Sequence, residues 1–405
     1  MKNDIESNPG IPPRSKDSVS LSENWYLWSI NSFEDATQAE TAVVAGPHVI
    51  PKNIESLPRW MWIHCLGADQ RVKTFMHASP QGWDALIACF VHNNMLRLTI
   101  GPMVLASIPV TRHDIRTLHS DEESLIVNGL VAIRNALEVS GLIFLEGIKE
   151  HSVLGKCLRN SEELKQNYHI LAFGPPCDHH YIDLPETFDE YFGTLGASTR
   201  KDIRRTQSRL EKKGDGECVV EKYLRVEDVA RFVDDACVVS STTWQYLKRD
   251  GGLRDPQMLR DRFNHTARLG WFRSYLLRVH GKPVAFQLGH VFEGVYYAQE
   301  IGYDPSWAKK QVGIYLIVAV IEDLIYNGQT IHFFDFGDTD SLYKQRLSNR
   351  SSRESFYYLF PRSVRMSALW IALRISIGVT NLVRRIVSIV GPGRQLLQRF
   401  GYSRR

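Results

Sequence analysis

Between residues 333 and 344 the chain gathers groups that could do chemistry: Asp335, Asp338, Asp340, Tyr343 and Lys344. The run Phe333-Phe334-Asp335-Phe336-Gly337-Asp338 reads as an apolar strand that ends in an acidic loop. A carboxylate at such a strand end is partly desolvated, which raises its pKa, while a neighbouring ammonium lowers it. Poised that way, it can act as a general base or orient an amine nucleophile. A plainer role is also open, because Asp338 or Asp340 can cap a helical turn at 341–347. Capping is the preferred reading for Asp340. For Asp335 and Lys344 both readings stand.

Upstream, Tyr296 to Leu316 reads as a strand ending at Gly302, a loop through Asp304-Pro305, and a helix opened by Gly313. Lys309 and Lys310 stand just before that helix. Unpaired N–H groups at a helix start, together with the helix dipole, favour an anion. Gly313 either admits a ligand closely or packs the helix on its strand. A second cationic feature is the segment from Thr199 to Lys213, with seven Lys or Arg against two acids. It reads as a solvated helical face, or as a surface for a polyanion such as a nucleotide-bearing cofactor, a tRNA or a phospholipid-linked acceptor.

Other motifs lead nowhere. Cys177-Asp178-His179-His180 offers metal-ligating types, but it follows a turn at Gly174-Pro175-Pro176 and no second cluster lies near in sequence. No metal is expected there. His179-His180-Tyr181-Ile182-Asp183 is one residue short of an HHxxxD acyl-transfer motif. Without a nucleophile elbow, a Walker loop or a dinucleotide fingerprint, hydrolase, nucleotide kinase and dehydrogenase readings have no support.

The elements that must position these groups form a mixed α/β pattern. In the first half, strands are expected at 83–90 and 95–100 around a polar turn at His92-Asn93-Asn94, with a helix over 121–140 and strands at 142–147 and 168–173. In the second half, helices at 187–195, 198–213, 226–244 and 255–269 frame a strand at 218–223. A meander follows at 271–278, 282–291 and 294–302, turning at Gly281 and Gly294. A helix at 312–327 and strands at 330–335 and 355–360 complete the pattern. Both halves run hairpin strands, helix, strand, which is compatible with a duplicated fold.

The chain has 405 residues, 43% hydrophobic and 23% charged, with a net charge of +4. These values suit a globular protein of two or three domains and argue for no partner by themselves. Six scattered cysteines without a C-x-x-C pair read as reduced thiols, and the polar start of the chain shows no signal peptide, so a cytoplasmic protein is expected. From Arg362 onward there are nine arginines and no Asp, Glu or Lys. In a helix there, Ser367, Arg374, Gly378, Asn381, Arg385 and Ser388 share one face, and apolar residues from Leu369 to Val390 fill the rest. The interruptions at Arg374, Asn381, Arg384 and Arg385 argue against a spanning helix. The tail reads as an interfacial anchor on an anionic membrane, or as a helix docked on the protein's own core.

Leu184-Pro185-Glu186-Thr187-Phe188-Asp189-Glu190-Tyr191-Phe192, followed by Ser198-Thr199-Arg200-Lys201-Asp202-Ile203-Arg204-Arg205, resembles the "LPxTFDEYL…TRKxIRR" block of the CelD/BcsL-like acyltransferases. That family belongs to the GNAT superfamily and is related to the FemABX peptidyltransferases. Gly281-Lys282-Pro283-Val284-Ala285, Tyr303-Asp304-Pro305, Gly313, and Asp335-Phe336-Gly337 with Tyr343-Lys344 follow the same family's pattern in order, over roughly residues 55–362. Where the family often has Ser-Pro-Gly, this chain has Gln311-Val312-Gly313. The resemblance implies two tandem GNAT-like domains, at 46–185 and 186–362, between a flexible leader at 1–45 and a basic amphipathic tail at 363–405.

The resemblance also implies acyl transfer, with acyl-CoA as co-substrate, to an amine or hydroxyl of a cell-envelope or exopolysaccharide precursor. Lys310, Gln311, Val312, Gly313 and Ile314 would then bind the donor. Glu300 or Asp335 would take the acceptor's proton, with Tyr343 and Lys344 orienting it. Arg200, Lys201, Arg204 and Asp338 would hold substrate. Two alternatives remain: aminoacyl-tRNA-dependent peptidyl transfer over the basic helix, and a catalytically degenerate scaffold of a polysaccharide synthase complex.

Overall fold

Two dipeptides in the second half, His280-Gly281 and Glu293-Gly294, have positive φ at both residues: 52° and 72°, and 46° and 76°. This is the backbone of the tightest hairpin turn, whose twist matches that of the strands it joins. Around these turns the segments 274–279, 282–292 and 295–303 form an antiparallel meander. The sequence places these turns and strands correctly.

The computed structural model describes residues 18–389, apart from 23, 45–52, 81, 102, 117, 119–121, 212–217, 249–250, 329 and 339. In chain order, the first part holds β1 (Ser18–Ser22), β2 (Trp25–Ile30), α1 (Phe33–Val44), α2 (Pro58–Cys65), β3 (Arg71–Ser79), β4 (Gly82–Ile100), β5 (Met103–Ile115), α3 (Glu123–Ala136), β6 (Gly141–Lys149), α4 (Val153–Asn160), α5 (Glu162–Asn167) and β7 (Tyr168–Asp183). The second holds α6 (Phe188–Thr194), α7 (Ala197–Glu211), β8 (Cys218–Tyr223), α8 (Val226–Ser240), α9 (Trp244–Lys248), α10 (Pro256–Arg268), β9 (Ser274–Val279), β10 (Lys282–Phe292), β11 (Val295–Tyr303), α11 (Val312–Asn327), β12 (Phe333–Asp335), α12 (Leu342–Leu347), β13 (Arg350–Pro361) and α13 (Val364–Ile389).

The chain divides into two compact units, Met1–Pro176 with Glu354–Arg405, and Cys177–Arg353. Each repeats one plan. In the first unit β2, β3, β4 and β5 pair antiparallel in sequence order, α3 crosses over, and β6 pairs parallel with β5. In the second, β8 to β11 do the same, α11 crosses over, and β12 pairs parallel with β11. The closing strands are exchanged between the repeats. β13, from the end of the chain, pairs antiparallel with β6, and β7, from before the second repeat, pairs antiparallel with β12. The fold is thus the expected mixed α/β one, with one plan present twice.

Burial explains the layers. In the first unit Phe75, Ile87, Leu130, Ile133 and Ile143 form a core between sheet and α3. In the second, α11 is apolar on most of its circumference: Val312, Leu316, Ile317, Val320, Ile321 and Leu324 are all buried. They meet Tyr275, Leu277, Tyr296 and Phe334 of the sheet and Ile203 of α7. The other face of that sheet carries a separate core, in which Val229, Phe232, Phe263 and Leu288 join α8 and α10 to β10. Among the described residues no cysteine is in a disulfide.

Several expectations need correction. The leader expected at 1–45 contains β1, β2 and α1 from Ser18 to Val44, with Trp25 and Ala36 fully buried; residues 1–17 lie outside those described. His92-Asn93-Asn94 is no turn. It sits inside β4, paired with Arg112, Thr111 and Val110, and the real turn is at Gly101 with φ 59°. The polar triplet is accommodated because β5 satisfies its backbone and its side chains pair locally: Asn94 Nδ2 reaches His92 Nε2 at 3.4 Å. Gly174-Pro175-Pro176 likewise lies within β7, in an exposed stretch where a missing ladder donor is tolerated. The division between units falls at Pro176 and at Arg353, not at 185 and 362, and the tail from Glu354 belongs to the first unit.

One close approach inside the second core makes a stability prediction. A Cβ on Gly289 of β10 would lie 2.1 Å from the hydroxyl oxygen of Tyr296 on β11. That hydroxyl is buried and without a hydrogen-bond partner among the described residues. Gly289→Ala should therefore destabilise by about 1–3 kcal/mol in urea denaturation, the usual range for overpacking. Tyr296→Phe alone should be neutral or stabilising, and the double variant should recover most of the loss.

Candidate functional site

The second unit's crossover helix begins abruptly. A short 3-10 turn, Pro305–Lys310, ends at Gln311, which adopts the left-handed conformation (φ 53°, ψ 38°). A non-glycine residue there is held at a cost of about 1–3 kcal/mol. The first helical bond runs from Tyr315 N–H to Gln311 C=O. The N–H groups of Val312, Gly313 and Ile314 therefore have no partner within the helix. Thr206 of α7 fixes the strained residue by donating its hydroxyl to Gln311 Oε1 at 2.9 Å.

Beside this helix start lies a small cleft lined by Thr199, Asp202, Ile203, Gln311, Ile314, Tyr343, Arg346 and Leu347. Three elements far apart in sequence, α7, α11 and α12, meet there. Gly313 serves packing: a Cβ would come within 3.1 Å of Tyr303 Cδ1. Val312 is fully buried, so only its backbone can serve a ligand. Ile314 lines the cleft directly.

The cations divide between structural and exposed roles. Arg200 donates to the carbonyls of Gly193 and Leu195, closing the C-terminus of α6. Arg204 lies over the Phe192 ring at 5.1 Å. Arg346 of α12 pairs with Asp202 of α7 at 2.6 Å. Lys201, Arg205, Arg209 and Lys309 are exposed, and Lys310 stands 4.7 Å over the Trp307 ring. Of the residues expected to hold substrate, Arg200 is thus committed to backbone, while Lys201 and Arg204 face outward. Lys212 and Lys213 lie outside the described residues.

The acidic loop is built by pairing that the sequence did not reveal. In the register of β12 with β7, Asp335 stands opposite Tyr181. His179, two residues along β7, donates to Asp335 Oδ1 at 2.6 Å, and Gly337 N–H donates to the same oxygen at 2.7 Å. His180 reaches Asp340 at 2.9 Å and Ser348 at 3.2 Å. Sequence reasoning set both histidines aside because it placed them after a turn. A long strand through Pro176 was the signal it missed.

Asp340 also accepts from Gln345 Nε2 at 2.8 Å, and that bond, with His180, holds its carboxyl below the usual range. It does not cap α12, whose N-cap is Ser341. Lys344 is buried and donates to the carbonyls of Gly337 at 3.0 Å and Asp338 at 3.1 Å. Burial lowers its pKa to about 8, against the opposing pull of Asp338, Asp335 and Asp340. Lys344 therefore pins the loop. Burial raises Tyr343 to about 12, so its phenol is neutral at physiological pH.

Glu300 depends on an irregularity of β11. Leu288 pairs with Glu300 but Gly289 pairs with Ala298, so Gln299 is an extra, bulged residue. Such a bulge flips the faces beyond it. Tyr296 and Ala298 face α11, whereas Glu300 shares the side of Leu288, in the core beneath α8. Burial alone raises its pKa to about 7. Asp335 alternates with Phe334, which faces α11, and so turns to the same side as Glu300. The parallel pairing of β11 with β12 stops at Tyr297 opposite Asp335, while β11 runs on to Tyr303. Beyond that point β11 has no parallel strand partner among the described residues.

The first unit has the same plan but a different helix start. α3 opens at Glu122-Glu123, whereas α11 has no acid in its first turn and two lysines just before it. A negatively charged ligand is disfavoured at the former and favoured at the latter.

Residues 197–345 match the acetyltransferase (GNAT) domain family. No curated protein matches the chain. Among solved structures, FemX is similar at 10% identity, covering 82% of this chain and 96% of that one with a TM-score of 0.54. A C-terminal domain (DUF2156) of a protein named as a lysylphosphatidylglycerol synthetase from Agrobacterium fabrum is 15% identical, covering 84% and 95%, with a TM-score of 0.50. A conserved protein of unknown function from Bacteroides thetaiotaomicron is 11% identical, covering 82% and 98%, with a TM-score of 0.51. At these identities the likeness is one of fold.

Lys344→Met should lower stability by about 1–3 kcal/mol in urea denaturation, because two half-buried loop carbonyls lose their donor. Lys344→Arg should not restore the stability, since a guanidinium fork does not fit a site shaped for a point donor. Equal stability of Lys344→Met and the parent protein would show that the loop holds itself.

Proposed function

We propose, from the premise that residues 197–345 form an acetyltransferase (GNAT) domain, that the protein transfers an acyl group from acyl-CoA to an amine or hydroxyl acceptor. The observation that carries this reading is a helix start suited to phosphates on one side of the sheet and, on the other, a partly buried carboxyl whose pKa burial raises to about 7. The donor's phosphates would meet the N–H groups of Val312, Gly313 and Ile314, with Lys309 and Lys310 nearby. Its acyl end would reach toward Glu300 on β11.

On the far side Glu300 would take the acceptor's proton as the nitrogen or oxygen attacks the thioester carbon. The carbon–sulfur bond then breaks and the thiolate leaves, taking a proton from solvent. A general base is most effective when its pKa lies near the working pH, and Glu300 meets that condition. Asp335, held by His179, would orient the acceptor, and Tyr343 closes the cleft. Lys344 keeps Asp338 and its loop in place. The motif resemblance supports a cell-envelope or exopolysaccharide precursor as acceptor, met at the cytoplasmic side of the membrane.

A second donor class has one specific observation in its favour: Lys201, Arg205 and Arg209 are exposed on α7, which borders the donor cleft. Aminoacyl-tRNA as donor would make binding steeply salt-dependent.

Calorimetry with acetyl-CoA tests the donor. Binding is expected for the intact protein and should weaken at least about ten-fold in Ile314→Glu, which puts a carboxylate into the phosphate site. No binding by the intact protein, or unchanged binding in the variant, rules out acyl-CoA in this cleft. Thiol release from acetyl-CoA, measured over a panel of amino sugars, tests the base. Glu300→Gln should lower turnover by about 10²–10⁴-fold with acetyl-CoA affinity kept. Parent turnover should rise with pH through about 7, where Glu300 loses its proton. Full turnover in Glu300→Gln would remove Glu300 from the mechanism.

A further inference from the structure

The last helix is apolar on its outside. The stripe of α13 turned toward the first unit consists of Met366, Leu369, Leu373, Ser376 and Thr380, all buried. The first three join a core with Leu96, Phe144 and Phe360. The last two are hydroxyls bound to the β4–β5 hairpin. Ser376 Oγ and Thr380 Oγ1 donate to the Thr99 carbonyl at 2.5 and 3.0 Å, and they accept from Thr99 N–H at 2.9 Å and Gly101 N–H at 3.1 Å. The opposite stripe holds Val364, Ile371, Ile375 and Leu382, whose exposures run from 49% to 91%. A helix facing water is built the other way round.

The hairpin held by those hydroxyls is also apolar at its end. Met103, Val104 and Leu105 are each at least half exposed, and Met95 is nearly so. A helix stripe and a hairpin tip of this kind, tied to each other by four hydrogen bonds, exceed the single exposed apolar residues usual on a monomer. The charges around them have one sign. Arg365, Arg374 and Arg97 are exposed, and no Asp or Glu occurs from Arg362 to the last residue.

We propose that the outer stripe of α13 and the tip of the β4–β5 hairpin form one docking surface for an anionic lipid bilayer, on which α13 lies flat. Apolar side chains enter the acyl boundary while the arginines meet lipid phosphates. By length and composition Val364–Val383 is apolar enough to cross a membrane, with a mean hydropathy of 1.5. Spanning would require Met366, Leu369 and Leu373 to leave their core and Ser376 and Thr380 to give up the hairpin. Lying flat requires neither. This differs from an anchor made by the tail alone, because the hairpin tip contributes and the outward face is the apolar one.

Co-sedimentation of the full chain tests this, with vesicles of phosphatidylcholine and with vesicles of equal parts phosphatidylcholine and phosphatidylglycerol. Binding is expected to the anionic vesicles and at least about ten-fold less to the neutral ones. Ile375→Asp in the helix and Leu105→Asp in the hairpin should each weaken binding about ten-fold or more. Val238→Asp, at an exposed position on α8, should not. All three positions are exposed, and unchanged urea denaturation checks that the variants fold. Equal binding to both vesicle types, no effect of Leu105→Asp, or no binding at all overturns the proposal. So does resistance of the cellular protein to alkaline carbonate extraction, which would mean that α13 spans. Concentration-dependent dimerisation without lipid, abolished by the same substitutions, would assign the surface to a second copy of the chain and overturn it too.

Discussion

The second unit turns on one extra residue in β11. Gln299 is one more than β10 can match, and the mismatch rotates everything beyond it by one face. Without the bulge Glu300 would point toward α11 and into the apolar core around Leu316 and Phe334. With it, the carboxyl lies under α8, buried enough to titrate near neutrality. The same strand loses β12 as its parallel neighbour after Tyr297. A bulge and a strand that stops early thus set the carboxyl apart from the apolar core under α11.

Around β11 the rest of the unit acts as support. α11 is apolar nearly all round, so its direction is set by burial between sheet and α7, and its N-terminus has no freedom to swing. Gln311 is held in a strained conformation by Thr206, and Gly313 lets the helix come close to Tyr303. On the other flank a buried ammonium, Lys344, holds two loop carbonyls, and His179 holds Asp335. Buried titratable groups destabilise a fold unless paired.

Duplication shows what is structural and what is chemical. Both units have the meander, the crossover helix and the parallel strand, and each is closed by a strand from elsewhere in the chain. What differs is the charge at the crossover helix start, acidic in α3 and flanked by lysines in α11. Shared features answer to packing, and the unshared one marks where an anion can bind. The first unit instead carries α13 and the exposed hairpin tip.

What the sequence by itself determined was local. The turns at Gly281 and Gly294, the short helix after Thr187, α11 from Val312 to Asn327 and β8 from Cys218 to Tyr223 were legible, because each is decided by residues within a few positions of one another. Motif order pointed to the GNAT plan and to Glu300, Asp335 and the start of α11 as the place to look. The errors came where local polarity was outvoted by a neighbouring strand: His92-Asn93-Asn94 and Gly174-Pro175-Pro176 look like turns and are not. Only the tertiary structure decided that His179 meets Asp335, that Lys344 serves the loop's carbonyls, that Glu300 faces α8, and that α13 turns its serine and threonine inward. Each of these is a matter of register between segments far apart in the chain. A shift of one residue there exchanges one face for the other, and composition and local spacing carry no record of which register is taken.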